Sequence, residues 1–273
     1  MAKIITELQD LTRLSWAKVR YSSGTAGSFL KSYEETDTGK MYYKLSNYDA
    51  FKGITGHECI NEIIVDRLLS ILGVEHLEYN LIYAKVVINN EPYNTWLCSS
   101  ADFKKRGDSK IALDAYYQIE KTPGESPLDF CIRQGWEQKI YQMLVVDFLI
   151  MNRDRHGANV EVLRNRINKT VRLAPLFDHG LSLFSRCPDL SAVLKEEVMA
   201  DKPVQCFVGS NSAVDNLKLI PRGKEPVLNS LDEKDKDLLL EGLKLALDEQ
   251  WLERIWELIW RRWQFYEDFC DKR

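Results

Sequence analysis

The segment that most constrains this chain is Asn152-Arg153-Asp154-Arg155-His156-Gly157-Ala158-Asn159, which follows an apolar helical stretch and precedes Leu176-Phe177-Asp178-His179-Gly180. It places an acid, an amide and a second acid on loops. Phosphoryl transfer asks for that set: a carboxylate beside the attacking hydroxyl and oxygen ligands for magnesium between the phosphates, with little covalent help. Asp154, Asn159 and Asp178 supply it. Residues 159–163 and 170–174 are expected to pair about the polar turn Asn165-Arg166-Ile167-Asn168-Lys169, returning Asp178 to Asn159. The competing reading is a charged surface loop followed by an unrelated turn, and the three polar residues taken together weigh against it. His156 has no second histidine at ligand spacing, so it is read as bracing the loop and not as a ligand or a base.

The first third reads as strands over residues 18–21, 29–33 and 41–45, separated by Ser22-Ser23-Gly24-Thr25-Ala26-Gly27-Ser28 and Asp37-Thr38-Gly39. A glycine loop between two strands fits a lid over phosphates. A Walker loop would instead need Gly-Lys-Ser or Gly-Lys-Thr before a helix. Over residues 57–72, Ile60, Ile63, Ile64, Leu68 and Leu72 recur at helical spacing, with Gly73 placed to end the helix. Two more strands are expected over residues 80–88 and 93–98, turning at Asn89-Asn90. Lys44 lies on the third strand, and Glu58 and Glu62 stand one turn apart on the helix, so either carboxylate can hold the lysine against phosphates. Glu62 is the first choice. Ser23, Gly24, Thr25, Gly27, Lys44, Glu62 and Asp102, the last in the polar connector of residues 99–108, form the expected nucleotide-binding set.

The rest of the chain turns helical. Residues 129–151 carry Trp136, Ile140, Met143, Leu144, Phe148 and Ile150 as a buried stripe. Ser230-Leu231-Asp232-Glu233 has the form of a capping box, and Leu238, Leu245, Trp256, Trp260 and Trp263 mark a long helix or a pair of them, with the tryptophans as packing residues. A length of 273 residues and a hydrophobic share of 45% allow two cored lobes. The expected fold is α+β, two-lobed and protein-kinase-like: a small antiparallel β-rich N-lobe with one main helix (residues 1–98), a hinge (99–108) and a larger helical C-lobe (109–273). The net charge of -4 argues against coating by nucleic acid. Six cysteines with no CxxC pair, apart from the four histidines, point to neither zinc nor disulfides. The N-terminus lacks a secretory pattern, and the longest apolar stretch, residues 143–151, is broken by Asp147 and far short of the roughly 20 residues that span a bilayer. A cytoplasmic location is expected.

On these motifs the chain resembles the HipA-like serine/threonine kinases, whose catalytic segment reads Asn-x-Asp-x-His-x-x-Asn and is followed by Ala-Pro-Leu-aromatic-Asp. The matching residues are Asn152, Asp154, His156 and Asn159, then Ala174-Pro175-Leu176-Phe177-Asp178. The resemblance implies ATP and Mg2+ as cofactors, Asp154 as the catalytic aspartate, Asn159 and Asp178 as magnesium ligands, and Lys44 in contact with ATP. It also implies a protein substrate, with aminoacyl-tRNA synthetases as examples, and a toxin role with a DNA-binding antitoxin partner. No direct nucleic-acid contact and no membrane are expected. Ser22, Ser23, Thr25 and Ser28 crowd the glycine loop and are expected sites of autophosphorylation. The glycine loop already begins at Ser22, where larger family members carry an extra subdomain first, and Asp178-His179-Gly180 is nearer the Asp-x-Gly of ordinary kinases. The alternatives are a phosphatidylinositol kinase, a small-molecule kinase of the antibiotic-phosphorylating type, and a catalytically silent nucleotide-binding module. The lipid alternative is weakened by the lack of a polybasic amphipathic segment.

Overall fold

A computed structural model of the chain describes residues 2–17, 29–37 and 39–272. The strand expected over residues 18–21 and the glycine loop of residues 22–28 lie outside the described residues. The chain opens with β1 (Ile4–Asp10), β2 (Lys31–Thr36) and β3 (Gly39–Leu45). A small ladder of β4 (Tyr48–Asp49) and β5 (Gly53–Ile54) leads to α1 (Glu58–Leu72) and then to the hairpin of β6 (Asn80–Ile88) and β7 (Glu91–Ala101). The long strands form one sheet in the order β1-β6-β7-β3-β2. Its pairs are antiparallel except β1, which runs parallel to β6. Asn89 and Asn90 turn the hairpin with φ of 52° and 68°, the left-handed pair that a two-residue turn matched to strand twist demands.

Strand β1 is an addition to the sequence reading. Its residues are mostly exposed and do not alternate cleanly, so no local pattern announces it. Its place comes from long-range pairing, Ile4 with Leu81 and Ile5 with Ile82. Period-2 alternation along β6 then divides the core. Ile82, Ala84, Val86 and Ile88 pack with Leu11, Leu14 and Leu30 on one face, while Leu81 joins α1 on the other.

Helix α1 is buried almost all round because it is enclosed on both sides, by β3, β6 and β7 and by the later helix α7 (Asp235–Leu240). It ends where Gly73 takes φ 72° and the Val74 N–H reaches back to the Leu69 carbonyl at 2.9 Å. Arg67 fastens it to the C-terminal part, donating to the carbonyls of Leu239 (3.0 Å) and Glu241 (2.7 Å).

After α1 and the hairpin, Ser99, Ser100 and Ala101 of the expected connector continue β7 and pair with Tyr43, Tyr42 and Met41. The chain then forms β8 (Asp108–Ala112), α2 (Leu113–Glu120), α3 (Pro127–Arg133) and α4 (Glu137–Leu149). The helical run expected over residues 129–151 is therefore broken. Gly135, at φ 77°, ends α3 with its N–H on the Ile132 carbonyl (2.9 Å) and the Trp136 N–H on that of Cys131 (3.0 Å). Next come β9 (Asp154–Arg155), β10 (Glu161–Asn165), β11 (Thr170–Leu173), α5 (Leu190–Lys195), β12 (Gln205–Cys206), α6 (Ala213–Leu217), α7 and α8 (Glu249–Asp271). β10 and β11 form the expected hairpin, extended by β8. The tail is a pair of helices, and Ser230 does not cap the first of them: α7 begins after Lys234, with Asp235 Oδ2 accepting from the Asp232 N–H at 2.8 Å. Trp251, Trp256 and Trp263 are buried, and Trp256 stacks on Trp260 at 5.6 Å, so these indoles are packing residues.

Candidate active site

Lys44 stands on β3 with Tyr42 two positions before it, and period-2 geometry turns both toward the same cleft while Tyr43 and Leu45 enter the core behind the sheet. The Lys44 ammonium lies 2.7 Å from Glu62 Oε1 and 2.6 Å from Asp178 Oδ1. Burial alone would lower the lysine's pKa, but the carboxylates of Asp178 and Glu62 outweigh it and hold it well above the ordinary value. For Asp178 burial works against the charged form, and the ammonium groups of Lys44 and Lys31 reverse that and hold the carboxyl well below its usual range. Glu62 is fully buried on α1, and its Oε2 accepts from the His179 N–H at 2.8 Å, tying the helix to the Asp-His-Gly turn. Glu58 goes elsewhere, accepting from the Asn47 N–H at 3.1 Å. Of the two carboxylates open at the sequence level, geometry selects Glu62.

The Asp-His-Gly turn is strained and closely backed. Asp178 has φ 59°, a left-handed conformation that aspartate tolerates better than most residues. Its N–H faces the Tyr79 hydroxyl at 3.4 Å. A Cβ at Gly180 would lie 3.1 Å from Glu58 Cβ, a tight contact that α1 would have to yield to by a few tenths of an ångström. Asn61 completes the join by donating to the carbonyls of Gly180 (3.0 Å) and Ser182 (3.1 Å).

The second acid–amide pair sits where α4 gives way to the loop. Met151 reverses the chain at φ 51°, and Asn152 Oδ1 accepts from the Asp154 N–H at 3.2 Å. Asn159 Nδ2 donates to the Asp154 carbonyl (2.8 Å) and approaches its Oδ2 (3.3 Å), which leaves Oδ1 as the oxygen Asn159 offers to a cation. His156 Nδ1 accepts from the Ala158 N–H at 3.2 Å, the bracing role read from the sequence, while its Nε2 lies 3.6 Å from Asp154 Oδ1. Beneath the loop, β12 pairs in parallel with β9. The pairing sets Gln205 beside Asp154 and Cys206 beside Arg155.

Sequence reasoning missed what holds the two loops together. Arg155 is 1% exposed. It grips Asp147 at 2.8 Å and donates through Nη1 to the carbonyls of Asn159 (3.3 Å) and Phe177 (3.1 Å). The signal was present: an acid interrupting an apolar helix requires a buried partner. Burial opposes the charge on Arg155, and Asp147 more than restores it.

The cleft holds about 170 Å³ and runs from Lys31, Lys44, Asn159 and Asp178 to Ser100, Ala101 and Asp102. Phe103 and Phe177 form part of its wall, with ring centres 5.8 Å apart. Asp102 Oδ1 accepts from the Lys104 N–H at 3.0 Å, and its Oδ2 lies 3.5 Å from the Tyr42 hydroxyl. The structure thus gathers Lys44, Glu62, Asp102, Asp154, Asn159 and Asp178 around or beside one cleft. Ser23, Gly24, Thr25 and Gly27 lie outside the described residues.

No family model matches the chain, and no curated protein matches it. Among solved structures, it is similar to the proinflammatory kinase CtkA of Helicobacter pylori, with a TM-score of 0.58 at 14% identity over 93% of this chain and 94% of that one. HipA of Shewanella oneidensis MR-1, solved with HipB and its operator DNA, aligns at a TM-score of 0.42 and 14% identity over 91% of this chain and 59% of that one. The likeness to CtkA shows the fold: an α+β, protein-kinase-like architecture, as the HipA-like resemblance implied.

Proposed function

We propose that the chain is an ATP- and magnesium-dependent phosphotransferase of HipA-like type that modifies serine or threonine hydroxyls on protein. The observation that carries this reading is the meeting of Lys44, Glu62 and Asp178, from β3, α1 and the turn after β11, at 2.6 to 2.7 Å in a cleft shared with Asn159. Asp178 keeps 27% of its side-chain exposure, so the buried Lys44–Glu62 pair opens on the cleft through this one carboxylate.

The residues present fit magnesium. Asn159 Oδ1 and the Asp178 carboxylate are hard oxygen donors, and no group of three His, Cys, Asp or Glu among the described residues makes an all-protein cage. Two protein ligands completed by waters and phosphate oxygens suit Mg2+, which dehydrates reluctantly. When bound there, the ion would neutralise charge on the phosphates. Lys44 engages the phosphates as a point charge, and Glu62 keeps it extended from β3. Asp154 orients the acceptor hydroxyl and takes its proton, with Asn159 fixing the carboxylate. Asp102 contributes at the nucleoside end. The protein acceptor, the antitoxin-like partner and the self-modification of Ser22, Ser23, Thr25 or Ser28 rest on the family resemblance and the composition of the loop.

The test is incubation of the purified protein with γ-labelled ATP, magnesium and a cell lysate, followed by phosphoamino-acid analysis. Labelled serine or threonine in protein, lost in Asp154→Ala, is expected. Transfer to lipid or to a small molecule alone would reassign the acceptor, and a folded, ATP-binding protein that transfers to nothing would make it a silent nucleotide-binding module.

A further inference from the structure

The same cleft holds a second ion pair, its carboxylate buried and its lysine open to water, that phosphoryl transfer leaves unused. Glu161, the first residue of β10, follows Asn159 by two positions and is 6% exposed. Its Oε1 lies 3.2 Å from Lys110 Nζ, and that ammonium stands 5.5 Å from the centre of the Phe103 ring. Its other oxygen, Oε2, is buried and has no hydrogen-bond partner among the described residues. Buried carboxylate oxygens are rarely left so, because losing water without a replacement donor is costly.

Position explains what could supply the donor. Glu161, Lys110, Phe103 and Phe177 line the cleft together. Lys110, the partner of Glu161, stands over the ring of Phe103, the neighbour of Asp102, whereas Lys44 pairs with Glu62 and Asp178. A nucleotide whose phosphates meet Lys44 and Asp178 has its nucleoside at the Glu161 end. An apolar floor would serve a base stacked there without selecting it. A carboxylate with one oxygen tied to a lysine and the other unpaired selects a ligand carrying an N–H or O–H donor.

We propose that Glu161 is a specificity-determining residue of the nucleotide site, its Oε2 accepting one hydrogen bond from the nucleoside, given by the exocyclic amino group of adenine or by a ribose hydroxyl. Lys110 orients the carboxylate for that contact. The inference rests on the reading of the cleft as an ATP site.

The test measures, by titration calorimetry with magnesium, the affinities of ATP, purine riboside triphosphate, 2′-deoxy-ATP and 3′-deoxy-ATP for the wild type, Glu161→Gln and Glu161→Leu. One analogue should bind the wild type about tenfold more weakly than ATP, the scale of a hydrogen bond to a charged group, and its identity names the donor. In Glu161→Leu that difference should vanish while ATP itself weakens about tenfold. Should the leucine variant fail to fold, Glu161→Gln, which keeps the shape, should shrink the same difference severalfold. A wild type that treats all four nucleotides alike, or ratios unchanged in the variants, overturns the role of Glu161 while ATP binding stands. A wild type that binds none of them overturns the nucleotide reading as well.

Discussion

Two buried acid–base clusters of similar make-up, one around Lys44 and one around Arg155, are put to different use. Arg155 is sealed. Its guanidinium is shared between the Asp147 carboxylate and two main-chain carbonyls, and the two side chains are only 1% and 12% exposed. Nothing in that set can be exchanged for a ligand without leaving a charge unpaired. Lys44 is also buried and paired twice, but one of its partners, Asp178, opens on the cleft. A phosphate can take the place of one carboxylate while Glu62 holds the lysine in position. A joint and a site are distinguished here by whether a partner faces water, not by the strength of the charges. The two are also linked, because Arg155 fixes the carbonyls of Asn159 and Phe177, the first on a proposed metal ligand and the second next to one.

This contrast can be broken by mutation. Arg155→Ala leaves the Asp147 carboxylate buried without its cation and should cost about 3–5 kcal/mol of folding stability, seen as a lowered denaturant midpoint. Wild-type stability would show that the cluster is not a joint. Asp178→Asn should do the opposite. Asparagine accepts the left-handed backbone and Lys44 keeps Glu62, so the fold should stay within about 1 kcal/mol of wild type. Phosphate transfer should fall by about 100- to 1,000-fold, the scale of losing one group that acts on developing charge. Equal losses of stability in the two variants would erase the distinction.

Smaller effects sharpen it. Glu62→Gln weakens the hold on Lys44 and should lower kcat/KM by about 10- to 100-fold, whereas Glu58→Gln, whose partner is the Asn47 N–H, should change it by less than about threefold. Steady-state kinetics on the pair decides which carboxylate serves the lysine. The least effect is in the response to acid. Because the Asp178 pKa is depressed in the folded state, its contribution to stability is complete above the ordinary aspartate value of about 3.9 and is lost as pH falls below it. Urea titrations across that range should show a shallower acid loss for Asp178→Asn than for wild type.

Much of this was legible in the sequence because the relevant signals are local. The helix over residues 57–72 announces itself through Ile60, Ile63, Ile64, Leu68 and the glycine stop, and the β6–β7 hairpin through its paired asparagines. Asp154, Asn159 and Asp178 could be grouped because one hairpin separates them. What escaped depends on partners far along the chain. β1 has no apolar alternation and is made a strand by residues near position 82. Ser230-Leu231-Asp232-Glu233 has the composition of a cap, yet α7 starts five residues beyond Ser230 because Asp235 closes the turn on Asp232. Gly135 lies inside a run of helical apolar spacing, yet its left-handed conformation divides α3 from α4. Arg155 and Glu161 look like surface charges in a list of residues, and only the packing around them removes water from both.

The most direct test of the central claim is single-turnover transfer from γ-labelled ATP at rising magnesium concentration, comparing wild type with Asp178→Asn. The account predicts transfer that requires magnesium in the wild type and is nearly abolished in the variant, with both proteins equally folded. Transfer that is indifferent to magnesium, or that survives in Asp178→Asn, would contradict it.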